Sequence, residues 1–359
     1  MDFGGMSLSI LFWITLNAGL MVGSLVPFLR HEHYLVRGWD FPRSQIWLLS
    51  LGSLLGQSVF VGWSSTLAIG VGLMAVVAWV IQSIWVYPYT PLCSKEVADA
   101  SLPDRDSALR IVTANVLQSN RSAPRLRQIL KRANADVIVL LETDQWWCDQ
   151  MNSLRELDYQ PVLLCPQDNL YGMAVYSRLK FEAEEVEYLV SSGTPSMRMR
   201  VVLPSGRKVD CHWVHPAPPS PTENTESTER DAELIMVARR IAKSEPRPTI
   251  VAGDLNDVAW SSTTRLFRKI SGLLDPRVGR GFFSSFHAKI PLVRWPLDHF
   301  FHSTHFDLNE IRRLDAFGSD HFPLLIDLQL TRPHDESLRG LEASPADEQR
   351  ATEKTAAVG

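Results

Sequence analysis

The sequence predicts a layered α/β domain preceded by an α-helical transmembrane region, and three observations carry that prediction. The first 87 residues hold only Arg30, Arg37 and Arg43 against Asp2, Glu32 and Asp40. From Leu109 onward, buried strands alternate with amphipathic helices. Strand after strand then ends in a group able to bind a metal or move a proton: Asn115, Glu142, His215, Asp254 with Asn256, Asp298 before His299, and Asp320 with His321. In layered α/β proteins functional groups collect at one edge of the sheets, on loops that a rigid scaffold positions. These groups are therefore expected to form one site.

The apolar stretch Leu8 to Leu29 is uncharged and, at helical rise, long enough to cross a hydrocarbon core of roughly 30 Å. It lacks a basic leader, its apolar run is too long for a signal peptide, and further apolar segments follow, so a spanning helix is expected. Ile46–Trp63 and Thr66–Tyr87 are two more candidate spans, joined by "WSST" and rich in the Gly and Ser that allow close helix packing. Ile46–Trp63 is the weakest of the three because it is short and contains Gln57. Trp39, Trp47, Trp63, Trp85, Tyr87 and Tyr89 fall near the predicted ends, where amphipathic rings favour the interface. Arg30, Arg37 and Arg43 flank the first loop and Lys95, Arg105 and Arg110 follow the third span, which by the positive-inside rule places the domain in the cytoplasm. Residues 1–90 are thus read as the transmembrane region and the Pro-containing 91–108 as a linker. The polar tail 331–359, without apolar periodicity, is expected to be disordered.

The domain spans 109–330 and carries equal numbers of basic and acidic residues, 27 of each. A protein that coats nucleic acid nonspecifically is usually basic. Cys93, Cys148, Cys165 and Cys211 form no CxxC and no His-spaced cluster, so neither a zinc site nor a disulfide framework is indicated. "LRIVTANV" reads as a strand ending at Asn115, and "SAPRLRQILKRANAD" as a helix with Leu126, Ile129, Leu130 and Ala133 on one face. "DVIVLLE" is a strand ending at Glu142. "MRMRVVLP" and "KVDCHWVH", separated by "PSGR", form a hairpin candidate. A polar stretch then feeds a helix with Leu234, Val237, Ala238 and Ile241 on one side. After "TIVAGDLND", "SSTTRLFRKI" resembles a capped helix and "HFPLLIDLQL" is an alternating strand.

"TIVAGDLND" states the problem in miniature. Thr249 to Ala252 read as a buried strand, Gly253 ends it, and Asp254, Asn256 and Asp257 follow at once. Standing alone, "GDLND" is as well explained by a turn. Taken with Asn115 in "TANV", Glu142 in "LLETD", His215 in "VHPAPP", Asp298 in "PLDH", and Asp320 and His321 in "GSDHFP", it resembles the endonuclease/exonuclease/phosphatase superfamily, in family order and with every motif filled. With three spans ahead of it, the chain is similar to membrane-anchored bacterial members, which implies a multi-pass protein of the inner membrane.

The resemblance implies a four-layer sandwich of two mixed β-sheets flanked by helices, with the site at one end. It also implies roles. Glu142 would be the principal ligand of Mg²⁺, or of Mn²⁺ in its place, with Asn115 and Asp320 beside it, a set suited to a hard ion. Asp254 would orient or deprotonate the attacking water, Asn256 would hold a phosphate oxygen, and Asp298 would orient His321 for phosphoryl binding or proton transfer. His215 matches the second catalytic histidine of the deoxyribonuclease branch. His212, His299, His302 and His305 read as structural, Arg198 and Arg200 as a solvated face, Trp146 and Trp147 as packing, and Asp257 as part of the turn.

The expected activity is phosphodiester hydrolysis by metal-assisted attack of water. Two substrates remain open: nucleic acid, toward which His215 inclines the reading, and a lipid head group, favoured by membrane anchoring and balanced charge. The bilayer is the expected partner of the N-terminal helices, and no protein partner is evident. An inactive binding scaffold is the third reading, against which the complete set of site residues argues.

Overall fold

The computed structural model describes residues 8–331 and 340–358. Its first part is a bundle of α1 (Leu8–Leu25), α3 (Arg43–Phe60) and α4 (Thr66–Val86), with the short α2 (Tyr34–Arg37) between the first two. Two stretches, Leu8–Leu29 and Thr66–Tyr89, are long and apolar enough to cross a membrane by length and composition. The bundle buries polar side chains beside an apolar cluster of Leu20, Ile46 and Ala78. Asn17 donates to the Val71 carbonyl (3.1 Å) and accepts from Ser53 (2.5 Å), Gln57 donates to the Ala68 carbonyl (2.6 Å), and Gln82 donates to Ser24 (3.0 Å). Its outer surface exposes Phe12, Leu48, Leu55, Val59, Leu73 and Ile84.

The second part contains two sheets. The first has six strands in the order β10-β11-β1-β2-β4-β3, drawn from β1 (Ala108–Asn115), β2 (Val137–Leu141), β3 (Gln160–Cys165), β4 (Met173–Ser177), β10 (Phe306–Arg313) and β11 (Leu324–Leu330). The second runs β5-β6-β7-β8-β9, from β5 (Lys180–Glu187), β6 (Ser196–Val202), β7 (Lys208–Trp213), β8 (Thr249–Asp254) and β9 (Asp298–His302). Each is mixed: β1 with β2 and β7 with β8 are parallel, the other pairs antiparallel. The β-branched and aromatic alternation of these strands makes the core. Ile111, Val139 and Val175 on one sheet meet Met199, Trp213, Ile250 and Phe300 on the other.

Helices cover the outer faces. α5 (Ala123–Ala133) and α6 (Gln145–Met151) pack on the first sheet; α7 (Thr228–Lys243) and α8 (Ser262–Ser271) pack on the second, and α9 (Pro345–Ala356) packs against α7 and α8. The architecture is thus two mixed sheets flanked by helices. α9 corrects the expectation of a wholly disordered tail. Its Ser344 cap and Asp347 form a capping box, and Lys354 reaches the buried Asp231 (2.6 Å) while Asp347 accepts from Lys269 (2.7 Å). Ion pairs and the small, buried Ala351 hold it, so apolar periodicity does not reveal it. The segment read as linker is also built in: Val97 joins the sandwich core and Glu96 pairs with Arg268 (2.5 Å).

Glu233, on α7, is 2% exposed, and Ser196 donates to it (2.7 Å). Burial, with a further push from Glu229, raises its carboxyl to about 7. The folded form therefore binds a proton that the unfolded chain releases near pH 4.5, and stability falls as pH rises through that interval and levels off above pH 7. Glu233→Gln keeps the acceptor without the charge. At pH 8 it should raise Tm, with a gain on the order of 3 kcal/mol at most, and near pH 4 it should have little effect; thermal melts at the two pH values check this.

Candidate active site

The local structure at the site is dictated by strand ends. Asn115 closes β1 and Glu142 follows β2, with φ of 60° at Glu142. Asp254 closes β8 after Gly253, whose φ is 147° and where a Cβ would lie 1.9 Å from the Val214 carbonyl oxygen, so only glycine fits. Asn256 is left-handed as well, at φ 50°. Asp298 opens β9, and His321 lies just before β11.

These side chains meet. The Asn115 amide nitrogen donates to Glu142 Oε1 (2.7 Å) and to Asp254 Oδ2 (3.1 Å), and its oxygen accepts from the Leu117 N–H (3.0 Å). Asp254 Oδ1 accepts from the Asn256 N–H (2.9 Å). His321 Nδ1 bonds to Asp298 Oδ2 (2.7 Å) while its Nε2 lies 3.5 Å from Asp254 Oδ2. Ligand atoms of Asp254, Asp298 and His321 all fall within 4.8 Å of one another. Ser319 ties the last loop down by donating to the Asn115 carbonyl (2.8 Å) and accepting from the His321 N–H (3.0 Å).

The electrostatics follow from burial. Burial alone would discharge His321, but Asp298 and Asp254 override it and push the imidazole up to about 10, so it is an imidazolium. Asp254 is buried too, yet His321 and His215, with the Asn256 and Asn115 donors, hold it below the usual carboxylate range. Burial pushes Glu142 up to about 7 against the pull of Asn115 and His321. His215 is depressed, chiefly by burial and against the pull of Asp254; among the described residues its Nδ1 has no partner, and its ring lies 5.5 Å from that of Tyr171.

Glu142, Asp254, Asp298 and Asp320 thus gather around one imidazolium, an excess of negative charge that fits a divalent cation. The oxygen donors there suit a hard ion such as Mg²⁺. The family model described as the Endonuclease/Exonuclease/phosphatase family matches residues 112–321. The chain belongs to this family.

No curated protein matches the sequence. Among solved structures, the zebrafish (D. rerio) TDP2 complexed with a single-strand DNA product is similar at 18% identity and a TM-score of 0.51, over 62% of this chain and 99% of that one. The human Nocturnin catalytic domain with bound sulfate has 18% identity and a TM-score of 0.51, over 64% and 96%. An endonuclease/exonuclease/phosphatase from Beutenbergia cavernae has 18% identity and a TM-score of 0.50, over 63% and 72%. At these identities the likeness establishes the fold.

The structure of this family member brings together Asn115, Glu142, Asp254, Asn256, Asp298 and His321, with Asp320 acting on His321 and His215 on Asp254. Asn256 Nδ2 donates to the Pro216 carbonyl (3.0 Å), so it also fixes the segment after His215. Arg198 and Arg200 lie apart from the site, paired with Glu185 and Asp210. Trp147 is fully buried, and Trp146 lies under Arg121 at 4.5 Å. His299 is neutral: burial, reinforced by Arg277, brings it down to about 3, and it bonds Arg277 (2.7 Å) and the Asp257 carbonyl (2.8 Å). Sequence reasoning missed Tyr171, Ser319, Arg230 and Phe286. Arg230 donates to the Asn256 carbonyl (2.8 Å), and Phe286 lies 5.0 Å from the His321 ring. No spacing or composition marks these residues.

Asp257 is more than a turn former. It is 2% exposed, accepts from Ser261 (2.6 Å) and the Val258 N–H (2.9 Å), and lies 3.3 Å from Arg230. Asp254→Asn and Asp257→Asn should therefore separate cleanly. The first should lower turnover by about 10²–10⁴-fold and also lower Tm, because His321 and His215 stabilise the ionised carboxylate. The second should leave turnover below the melt within about threefold, a change too small for a lost catalytic group, and above pH 6 should hold or raise Tm, because burial holds the Asp257 carboxyl up at about 6. Turnover and thermal melts on both variants decide it, and equal small effects would reduce "GDLND" to a turn.

Proposed function

We propose that the chain is a membrane-anchored, divalent-metal-dependent phosphoric ester hydrolase that cleaves phosphodiesters with water. The observation that carries this reading is the meeting of Asn115, Glu142, Asp254, Asp298 and His321 at the shared edge of the two sheets. Asp254 orients the water and receives its proton. The His321 imidazolium, held by Asp298, donates to a non-bridging phosphate oxygen and neutralises charge building there. Asn256 presents its remaining amide hydrogen to phosphate, and His215, kept neutral by burial, offers a ring N–H as a hydrogen bond to the leaving oxygen, which takes up its proton from water. Glu142, Asn115 and Asp320 would hold Mg²⁺, or Mn²⁺, which supplies Lewis acidity and a lowered water pKa when bound. The water oxygen bonds to phosphorus, one P–O ester bond breaks, and the departing oxygen leaves with a proton. His215 is the residue that favours nucleic acid as substrate.

Three spans are supported by the bundle's reversal of the usual pattern. Asn17, Gln57 and Gln82 turn inward and large apolar residues turn outward, as expected where the surroundings are lipid. Gln57, which weakens the second span in the sequence, is fully buried. In this reading residues 1–90 are the multi-pass anchor and 109–330 the hydrolase, and the positive residues between the first two spans favour a cytoplasmic hydrolase.

Activity on a soluble phosphodiester should vanish in EDTA and return with Mg²⁺ or Mn²⁺. Glu142→Gln should lose at least roughly a hundredfold, since even outer-shell partners of a metal cost 10–100-fold, while the metal-free Tm holds or rises because a buried charge is removed. Full activity in chelator would sink the metal assignment. A reporter fused after Leu330 in a bacterial host should behave as cytoplasmic; a periplasmic signal would reverse the orientation.

A further inference from the structure

The loop from Phe286 to Leu297 connects the candidate active site to the ends of the apolar helices. At its base the Ala288 N–H donates to the Asp320 carbonyl (2.6 Å), and Phe286 contacts His321. Farther along, Gln45 in the first turn of α3 donates to the Leu292 carbonyl (3.2 Å) and accepts from the Trp295 indole (3.4 Å). Trp295 stacks on Phe286 at 6.1 Å and meets Phe41 edge-on at 5.4 Å. A chain of ring contacts thus runs from His321 to the mouth of the helix bundle. The segment after Asp254 docks on the same ground, with the Trp260 indole donating to the Asp40 carbonyl (2.8 Å) and the Tyr89 hydroxyl to the Ala259 carbonyl (2.7 Å). The sandwich edge that carries the site is the edge that faces the helices.

The tip of this loop is apolar and bare. Lys289, Ile290, Pro291 and Leu292 are exposed, Leu292 by 85%. Beside Gln45 it lies level with the point where α3 begins, so lipid is the surrounding that would cover it. Behind it the Arg294 and Arg313 guanidinium groups lie 5.1 and 4.2 Å from the ring of Phe322, the residue next to His321. Their hydrogen bonds go to the carbonyls of His287, Ala288 and Ser284, and among the described residues neither has a carboxylate partner. Two arginines without acids, beside a phosphoester site, match an anionic phosphate.

We propose that the active site opens on the bilayer surface, that Ile290–Leu292 inserts there, and that the substrate is the phosphodiester head group of a membrane phospholipid, its phosphate met by Arg294 and Arg313. This rests on the reading of the chain as a membrane-anchored phosphoester hydrolase. The chemistry is unchanged: water adds across one P–O bond of the lipid, and the released alcohol carries the proton. A polynucleotide would have to approach a site set against an anionic surface, and a domain with equal numbers of acids and bases offers it no compensating field.

The test uses the full chain in vesicles of phosphatidylethanolamine and phosphatidylglycerol with Mg²⁺. Lipid phosphodiester, bis(p-nitrophenyl) phosphate, plasmid DNA and single-stranded RNA are assayed in parallel. Hydrolysis of the lipid faster than either nucleic acid is expected. Leu292→Asp should lower the ratio of lipid to soluble-diester turnover by about tenfold or more, as withdrawal of a large apolar side chain from lipid would, and Leu292→Phe should retain it. Arg294→Ala with Arg313→Ala should raise KM for the lipid. Faster cleavage of nucleic acid, or an unchanged ratio in Leu292→Asp, overturns the proposal while metal-dependent cleavage of the soluble diester leaves the hydrolase reading standing. Loss of all cleavage would sink both. Independently of activity, a spin label on Leu292→Cys, with Cys93→Ser and Cys165→Ser, should be more accessible to oxygen than to a water-soluble nickel chelate; the reverse also overturns it.

Discussion

One amide group ties the two sheets together at the site. Asn115, at the end of β1 in the six-stranded sheet, donates both to Glu142 on its own sheet and to Asp254 at the end of β8 in the other. The His321 to Asp298 bond makes a second tie across the sandwich. Strand direction makes these contacts available. Parallel pairing sets Asn115 beside Leu141, one residue before Glu142, and Trp213 beside Ala252, which brings His215 up to Asp254. Antiparallel pairing of β8 with β9 sets Asp254 against Asp298. The site is a property of the packed sandwich, and neither sheet carries it alone.

Burying so much charge requires partners, and the chain supplies a second ionic centre for support. Asp231, fully buried at the start of α7, accepts from Arg230 (2.8 Å), Thr263 (3.0 Å) and Lys354 (2.6 Å). Its carboxyl is held well below the usual range despite its burial, through Arg230 and Lys354. Lys354 belongs to α9 and also reaches Glu32, in the loop between α1 and α2 (3.1 Å). Arg230 reaches the Asn256 carbonyl. The tail helix, the loop between α1 and α2 and the turn bearing Asn256 are therefore joined through one carboxylate and its cationic partners. Removing a single partner from such a centre leaves the others buried and uncompensated.

What was legible in the sequence divides along physical lines. The interior strands declare themselves because both faces are covered and their residues are apolar throughout. The strands that escaped reading, β3, β5, β9 and β10, are all sheet edges. "KFEAEEVE" shows why for β5: its charged residues are exposed and leave no buried alternation to read. Asn115, Glu142, His215 and Asp254 were legible because each closes or follows a strand; Asp298, Asp320 and His321, expected at strand ends as well, instead open β9 or precede β11, because antiparallel strands enter the same edge of the sandwich. Ser319, Tyr171, Arg230 and Phe286 were not legible, because their importance lies in which residue from another element they touch. The helix α9 carried a local signal in Ser344, Pro345 and Asp347, but its anchor is Lys354, and an ion pair leaves no periodicity.

The stretch from Asp254 to Trp260 shows how closely these levels are joined. Asp254 turns toward Asn115 and His321, and Asn256, left-handed, fixes the segment after His215. Asp257 turns the other way, to Arg230 and to Ser261, whose hydroxyl caps α8 by accepting from Thr264. Trp260 then reaches Asp40 at the foot of α3. A strand end, the site, a helix cap and the helical bundle are thus linked within one short run of chain. Displacement of the bundle against the domain would be felt at Asp254 through the buried Trp260 and Asp257, so the bundle and the site are mechanically coupled.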